Sequence, residues 1–499
     1  MVCRPALLSN KESCLLVVAD DQGLHILAQN VATRALHDAE QGQPTVLCHP
    51  GTRVRILELM SSWTADRTRT EKLCWLNGPV GVGKTTIAQT LAEKFQEDRL
   101  AGTFFFSRND PSRNGLRLFV TTLAYQIVTS PSLGPLIGRF ITDIINKKPT
   151  IVQSAFERQF EALIQGPCKM LDPHQWRDLP NVLMIDGIDE CIDLPSQERL
   201  LSIFGTASTA NPPLPFDIVL CSRAEPIIAD AFKRLPLSSI STKLSIGSSF
   251  HSDLDIAVFF RARFEEIRAR HHRTMPPQLK EWPGDAVIRE LVRRSCGQFV
   301  YAKTVATFID NLQSVPIVRL NAVLESRIPK GATSLYPELD LLYRQVLESC
   351  EDFQAVSRIL CWIIHYKDIA ESEAEESLFI PTCWVIQQIL GLEPGLVRAH
   401  LFSLHSVLHI PDSDHGIIRV LHTSFTEFLC NPARSHNFCV KDINKTLFHD
   451  LIAQCLLRRI ALFNPQYRDV AERIQLSDRI TFRFDITWLS YKDQQLYTN

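Results

Sequence analysis

The stretch that most constrains this chain is residues 73–95, LCWLNGPVGVGKTTIAQTLAEKF. It contains the spacing G-x-x-x-x-G-K-[ST], met by Gly78, Gly83, Lys84 and Thr85 with Pro79, Val80, Gly81 and Val82 between and Thr86 after. Only a backbone without Cβ wraps an anion closely enough to aim successive N–H groups at it, which is why glycine recurs. An apolar run, Leu73 to Leu76, reads as a strand before the loop. A helix follows, with Ile87, Leu91 and Phe95 at i, i+4, i+8. The positive end of that helix then faces the loop. In this context Lys84 supplies the point charge for the β- and γ-phosphates, and the Thr85 hydroxyl is placed to ligate Mg²⁺. The unit reads as a nucleoside triphosphate-binding loop, with ATP/ADP and Mg²⁺ as the expected cofactors.

Two further motifs belong with it. In VLMIDGIDEC, 182–191, a buried strand ends in Asp186, placing a carboxylate where it holds Mg²⁺ or one of its waters. Asp189 and Glu190 follow at the sheet edge, where the γ-phosphate would sit. Glu190 is the first choice as the base that polarises the attacking water and Asp189 the second. The bland alternative is a turn cluster, since Asp-Gly and Asp-Glu are ordinary turn residues. In CSRAEP, 221–226, Ser222 and Arg223 end the next strand. If that strand is inserted between the other two, the Arg223 guanidinium lies where it compensates γ-phosphate charge. A surface arginine in a strand-to-helix loop is the alternative.

At 499 residues the chain is too long for one core, and length points to roughly three domains. An apolar share of 45% with 22% charged residues is that of a globular protein. The net charge of −2 gives no global attraction to nucleic acid or membrane. No 18-residue apolar stretch occurs, and Leu15 to Ala19 is too short for a signal-peptide core. A cytoplasmic protein is therefore expected. The fourteen cysteines form no C-x-x-C pair, and Cys74, Cys221, Cys361 and Cys455 sit in apolar runs as small hydrophobes. His271-His272 has no partners at zinc-ligand spacing.

Residues 49–63 read as a turn and a short amphipathic helix bearing Ile56, Leu57, Met60 and Trp63. Gly102–Ser107, Asn181–Asp186 and Phe216–Cys221 read as strands, with helices around Leu118–Val128 and over 151–165. Continuous apolar strands alternating with helices predict a parallel sheet covered on both faces. From about 250 the pattern turns helical: Ile256–Ile267, Ala286–Leu291, Gly297–Ile309, Leu339–Leu347 and Ala355–Ile364. Residues 370–377 are an acidic tract. Residues 384–430 combine helices with an extended pair near Val407–Pro411 and Gly416–Val420, as in a winged helix. Leu447–Ile460 reads as a last amphipathic helix.

The set GPVGVGKTTIA, LMIDGIDEC and VLCSRAEP resembles the NACHT domain, a branch of the STAND class of signal-transducing ATPases, and most closely fungal NACHT proteins of the NLR-like type. CHPGTR at 48–53, TFFFSRNDPSRN at 103–114, CGQFVYAKTVATFI at 296–309, LYRQVL at 342–347 and LHTSFTEFL at 421–429 extend the resemblance over about 48 to 460. It implies an α/β P-loop NTPase domain with a parallel sheet, followed by an all-α helical domain and a winged-helix domain. The corresponding segments are an unassigned 1–47, a nucleotide-binding domain 48–245, a helical domain 246–330, a winged helix 331–435, and the start of a second helical region at 436–499. By the same resemblance, His422 matches the winged-helix histidine that contacts the β-phosphate of bound ADP. A helix-start histidine satisfied by backbone is the alternative. HPGTR matches the linker that lies by the adenine.

Two departures stand out. The chain stops at Asn499 without the WD, ankyrin or TPR repeats that sense a ligand in such proteins, and 367–381 lacks the expected Pro-Leu-Ser segment. The sensor is then missing, supplied in trans, or never present. The implied function is a nucleotide-operated switch, closed with ADP and self-associating with ATP, with slow ATP hydrolysis for resetting. Its partners would be further copies of itself and an unknown effector or sensor protein. A stand-alone P-loop enzyme of the kinase or transport ATPase kind is the runner-up, disfavoured by the lack of a second substrate site. A non-hydrolysing scaffold is the third reading, disfavoured by Lys84, Thr85, Asp186 and Glu190.

Overall fold

A computed structural model describes residues 22–39, 47–108, 110–246, 252–275, 281–311, 314–326, 334–366 and 380–440. The acidic tract at 370–377, the 367–379 part of the segment lacking Pro-Leu-Ser, the helix expected at Leu447–Ile460 and almost all of 436–499 lie outside these residues. The chain divides into two compact units, Met1–Arg263 with Gly284–Val300, and Phe264–Pro283 with Tyr301–Asn499.

The first unit opens with the helices α1 (Gln22–Ala28) and α2 (Val54–Ala65). Strand β1 (Leu73–Asn77) leads into α3 (Lys84–Phe95), and β2 (Leu100–Phe105) into α4 (Phe119–Thr129) and α5 (Arg139–Lys147). The helical stretch expected over 151–165 is broken. A 3-10 segment at Pro149–Gln153 gives way to α6 (Phe156–Phe160), a wide π-type turn at Glu161–Gln165 and α7 (Gly166–Cys168). Phe156, Phe160 and Leu163 are nonetheless buried as their spacing requires. Then come β3 (Val182–Asp186), α8 (Leu194–Thr209), β4 (Asp217–Ser222), α9 (Pro226–Ala231), α10 (Leu237–Ile240) and β5 (Ser241–Ser245). Helix α11 (Ser252–Arg270) begins in this unit, α12 (Asp285–Ser295) belongs to it, and α13 (Phe299–Ile309) starts in it.

All five strands are parallel, in the order β2-β3-β4-β1-β5. Alternate residues of each strand enter opposite cores. Leu73, Trp75, Leu183, Ile185, Ile218 and Leu220 face one helical layer. Cys74, Leu76, Met184, Val219 and Cys221 face the other, where Ile87, Leu91 and Phe95 of α3 and Ile56 and Met60 of α2 pack. Burial on both faces explains why these strands read as unbroken apolar runs. Strand β5 was not legible as one: STKLS at the sheet edge is half exposed along its length, so it needs no apolar run. The sheet with its flanking helices is the α/β P-loop NTPase fold expected from sequence.

The second unit is mainly helical, with α14 (Pro316–Glu325), α15 (Pro337–Glu348) and α16 (Phe353–His365). Helices Cys383–Leu390 and Leu396–Leu401 precede the antiparallel strands Leu408–His409 and Arg419–Val420, and Thr382 bridges Ile417. This is the helix and hairpin order expected of a winged helix. Tyr343 is its buried hub, edge-on to Phe425 at 5.0 Å and bonded through its hydroxyl to Ser424 Oγ at 2.9 Å. Beside it the buried Asp340 pairs with Arg434 at 2.6 Å. His271 Nε2 lies 3.2 Å from Asp310 Oδ1.

Among the described residues the eleven cysteines form no disulfide. No described helix is long and apolar enough to cross a membrane.

Candidate nucleotide-binding site

Strand β4 is inserted between β1 and β3, so three strand ends lie side by side. In register, Asn77 pairs with Ser222, and Asp186 with Cys221. The P-loop leaves the first of these ends, Arg223 the second, and the Gly187–Glu190 turn the third. A carboxyl edge of this kind, at adjoining strands of a parallel sheet, is where open α/β sheets bind ligands.

The loop itself has two glycines in the left-handed region, Gly81 at φ 77° and Gly83 at φ 91°. Gly83 caps α3, and nothing lies within 4 Å of the place a Cβ would take there. At Gly81 a Cβ would meet Val300 Cγ1 at 2.3 Å, and at Gly78 the Ile246 carbonyl at 2.8 Å. The loop is therefore packed from behind and leaves no room for side chains at 78 and 81. Pro79 and Val80 form its outer rim, Pro79 exposed, with Val82 turned inward and buried. Lys84 Nζ donates to the carbonyls of Gly78 at 2.8 Å and Pro79 at 3.0 Å, folding over the loop. Burial lowers its pKa, opposed by the carboxylates of Asp189 and Asp186.

Thr85 follows on the first turn of α3, with its hydroxyl near enough to the Asp186 carboxylate to favour the charged form. Burial pushes Asp186 up to about 7, against the lowering effect of the Thr85 hydroxyl. A buried carboxylate next to a hydroxyl is a pair of hard oxygen donors suited to Mg²⁺, which would stabilise the charged form. Among the described residues no group of three or more His, Cys, Asp or Glu converges to hold a metal. A cation at Thr85 and Asp186 would thus take its remaining ligands from phosphate and water. Thr86, one position on, serves the helix itself: its carbonyl accepts the Thr90 hydroxyl at 2.7 Å.

The two carboxylates after Asp186 have different surroundings. Gly187, at φ 76°, turns the chain after β3 and lets Ile188–Glu190 form a single tight helical turn. Asp189 is buried and engaged: Oδ1 accepts the Arg223 N–H at 3.0 Å, and Oδ2 lies 3.1 Å from Arg223 Nε. Glu190 makes a longer contact, Oε2 accepting the Arg108 N–H at 3.2 Å. Burial raises its pKa, and the Asp189 charge adds to the rise. Ser222 is used internally, accepting the Trp75 indole N–H at 2.8 Å and donating to the Arg223 carbonyl at 2.9 Å.

His422 belongs to the second unit. It stands just before the helix Thr423–Leu429, and its carbonyl accepts the Phe425 N–H at 2.9 Å. The ring gives no capping bond, and Nε2 is buried without a hydrogen-bond partner. Burial, with a smaller contribution from Lys303, pushes its pKa down to about 3. The ring is therefore neutral, with an unsatisfied nitrogen.

Sequence reasoning overlooked two arginines. Arg108 follows β2, donates from Nη2 to the Asp189 carbonyl at 3.0 Å, and contributes the backbone N–H that holds Glu190. Its one sequence signal was membership of TFFFSRNDPSRN. Arg53, in HPGTR, is 4% exposed and donates from Nη2 to the Val82 carbonyl at 2.6 Å. The segment is also pinned to α3 where the Cys48 N–H donates to Thr90 Oγ1 at 2.9 Å.

Residues 51–223 match the sequence model of the family described as Nephrocystin 3, N-terminal. The match is less than half of the chain. It begins at the turn before Arg53 and ends on Arg223, and it supports the NACHT-like, STAND class for this region. No curated protein matches the chain. Among solved structures, it is similar to a signal transduction ATPase with numerous domains (STAND) protein with a tetratricopeptide repeat sensor from Pyrococcus horikoshii. That likeness has a TM-score of 0.38 and 13% identity, over 85% of this chain and 53% of the other. The chain thus spans about half the length of that protein. It is also similar to a chain in the structure of Drosophila ORC bound to AT-rich DNA and Cdc6, with a TM-score of 0.25 and 11% identity over 95% of this chain and 76% of the other. Likenesses this distant say nothing about function.

Proposed function

We propose that this protein is an ATP/ADP-operated switch of the NACHT/STAND class, with slow hydrolysis serving to reset it. The observation that carries the reading is the loop itself, with Gly81 and Gly83 in the left-handed region, no room for a Cβ at Gly78 or Gly81, and the Lys84 ammonium folded over its carbonyls. A phosphate chain would lie on the loop, with Mg²⁺ on the oxygens of Thr85 and Asp186. When bound, Mg²⁺ would neutralise phosphate charge. The protein's own groups do the rest: Gly78 to Thr86 cradle the phosphates, Lys84 leaves its loop carbonyls for them, and Arg223 carries a positive charge to the terminal one. Glu190 is the base for the attacking water, because Asp189 is committed to Arg223.

The switch follows from differential contacts. A γ-phosphate has Arg223 to meet, and ADP does not, so the two nucleotides stabilise different states. In the closed, ADP-bound state we assign the unsatisfied Nε2 of His422 to the β-phosphate, a neutral donor to an anion. ATP would release that contact and open the protein for association with further copies. Signal input and output would come from a sensor or effector protein, in the cytoplasm. Calorimetry with ADP and ATP, followed by size-exclusion chromatography with each, tests the proposal. The switch requires tight binding of ADP and a larger species with ATP. Equal sizes with both nucleotides would leave a stand-alone ATPase.

A further inference from the structure

The back of the P-loop is held by residues far away in sequence. Arg53 adopts a left-handed backbone, φ 58°, at the start of α2, a conformation uncommon for a residue with a side chain. This turns its guanidinium into the core beneath the loop. Nη2 donates to the Val82 carbonyl at 2.6 Å, Nη1 donates to Ser252 Oγ at 2.9 Å, and Nη1 lies 3.7 Å from Asp255 Oδ2. The ring of Phe299 covers the guanidinium, with its centroid 4.6 Å from Cζ. Next along the loop, the Val300 N–H donates to the Gly81 carbonyl at 3.0 Å.

These bonds have a consequence through peptide geometry. In a planar trans peptide the carbonyl and the following N–H point in opposite directions. Neither the 81–82 nor the 82–83 peptide is cis. Fixing the Val82 carbonyl on Arg53 therefore turns the Gly83 N–H away from Arg53. Fixing the Gly81 carbonyl on Val300 likewise turns away the Val82 N–H. Left-handed Gly81 and Gly83 permit this alternation. A nest of N–H groups binds an anion well only if it need not reorganise when the anion arrives.

We propose that Arg53 is a positioning residue for the phosphate cradle. It fixes the Val82–Gly83 peptide from behind so that the Gly83 N–H stays turned to the β-phosphate, and it ties that peptide to Ser252 and Asp255 of α11. It touches neither base nor phosphate. The inference rests on the nucleotide-binding reading of the loop, and it separates the strut role from contact with the adenine.

The test compares ADP and adenosine as competitors of a fluorescent ADP analogue on the parent protein, Arg53→Met and Arg53→Lys, with thermal unfolding as the check on folding. Arg53→Met keeps the apolar stem and removes all donors. It should weaken ADP by roughly tenfold to a hundredfold, the loss that accompanies a hydrogen bond to a charged group. Adenosine, which has no phosphate, should bind equally to both. Arg53→Lys, able to reach one carbonyl, should recover part of the loss. If Arg53→Met does not fold, the lysine variant decides, with weakened ADP at an unchanged unfolding midpoint as the supporting result. Unchanged ADP affinity in a variant that folds, or a parallel loss for adenosine, overturns the inference. Failure of the parent protein to bind ADP would instead remove the reading on which it rests.

Discussion

Asp189 holds Arg223 at two points, its Oδ1 accepting the backbone N–H at 3.0 Å and its Oδ2 lying 3.1 Å from Nε. The carboxylate is thereby committed to orienting a guanidinium at the end of β4, and the next residue, Glu190, is left with one long contact to the Arg108 N–H. Glu190→Gln should keep ATP binding and slow hydrolysis by roughly 10²-fold or more, the effect of removing a general base. Asp189→Asn should instead reduce the preference for ATP over ADP, because Arg223 loses its anchor. Single-turnover hydrolysis and the two affinities separate these outcomes. A slowed chemical step in Asp189→Asn with an unaffected Glu190→Gln reverses the roles.

Lys84→Ala removes the ammonium folded over the loop, whose Nζ now bridges the carbonyls of Gly78 and Pro79. Nucleotide binding should be lost while the sheet persists, since Lys84 takes no part in either core cluster. A fluorescent ATP analogue and circular dichroism together test this. Undiminished binding by a folded variant would remove the phosphate loop assignment.

Arg108→Ala should have a smaller effect than Glu190→Gln. The substitution deletes the guanidinium bond to the Asp189 carbonyl but keeps the backbone N–H that holds Glu190. Hydrolysis slowed by less than tenfold, about 1.4 kcal/mol in the barrier, is expected. A loss equal to that of Glu190→Gln would mean that the Arg108 side chain itself meets the terminal phosphate.

His422→Ala should speed ADP release and raise the oligomer fraction in ATP without loss of the fold. A hydrogen bond to a charged group contributes about 1.5–3 kcal/mol, which moves a closed-to-open equilibrium by roughly tenfold to a hundredfold. A pH signature accompanies it. The ring's pKa falls from 6.5 to about 3 on folding, so below 6.5 the unfolded chain takes up a proton that the folded one does not. Stability is lost as pH falls from about 6.5 toward 3, and His422→Ala should flatten that loss. Identical ADP release and identical pH profiles would make His422 a packing residue.

The parts of this molecule legible in the sequence were those in which neighbours along the chain act together. Strands β1, β3 and β4 are buried on both faces and so appear as apolar runs, and the loop glycines carry a fixed spacing. Strand β5 is polar because it lies at an edge. Arg53 and Val300 were invisible as loop supports because the partners of the P-loop carbonyls lie far from it along the chain. Asp189 and Glu190 stand one residue apart in sequence. What distinguishes them, an arginine from β4 and a backbone N–H after β2, exists only once the sheet has assembled.

The most direct test of the switch is the identity and amount of nucleotide retained by the purified protein. Acid extraction followed by anion-exchange chromatography should release close to one equivalent of ADP from the parent protein, and less from His422→Ala. An empty site in the parent, with ATP bound and turned over freely on addition, would contradict the switch and describe an ordinary turnover enzyme.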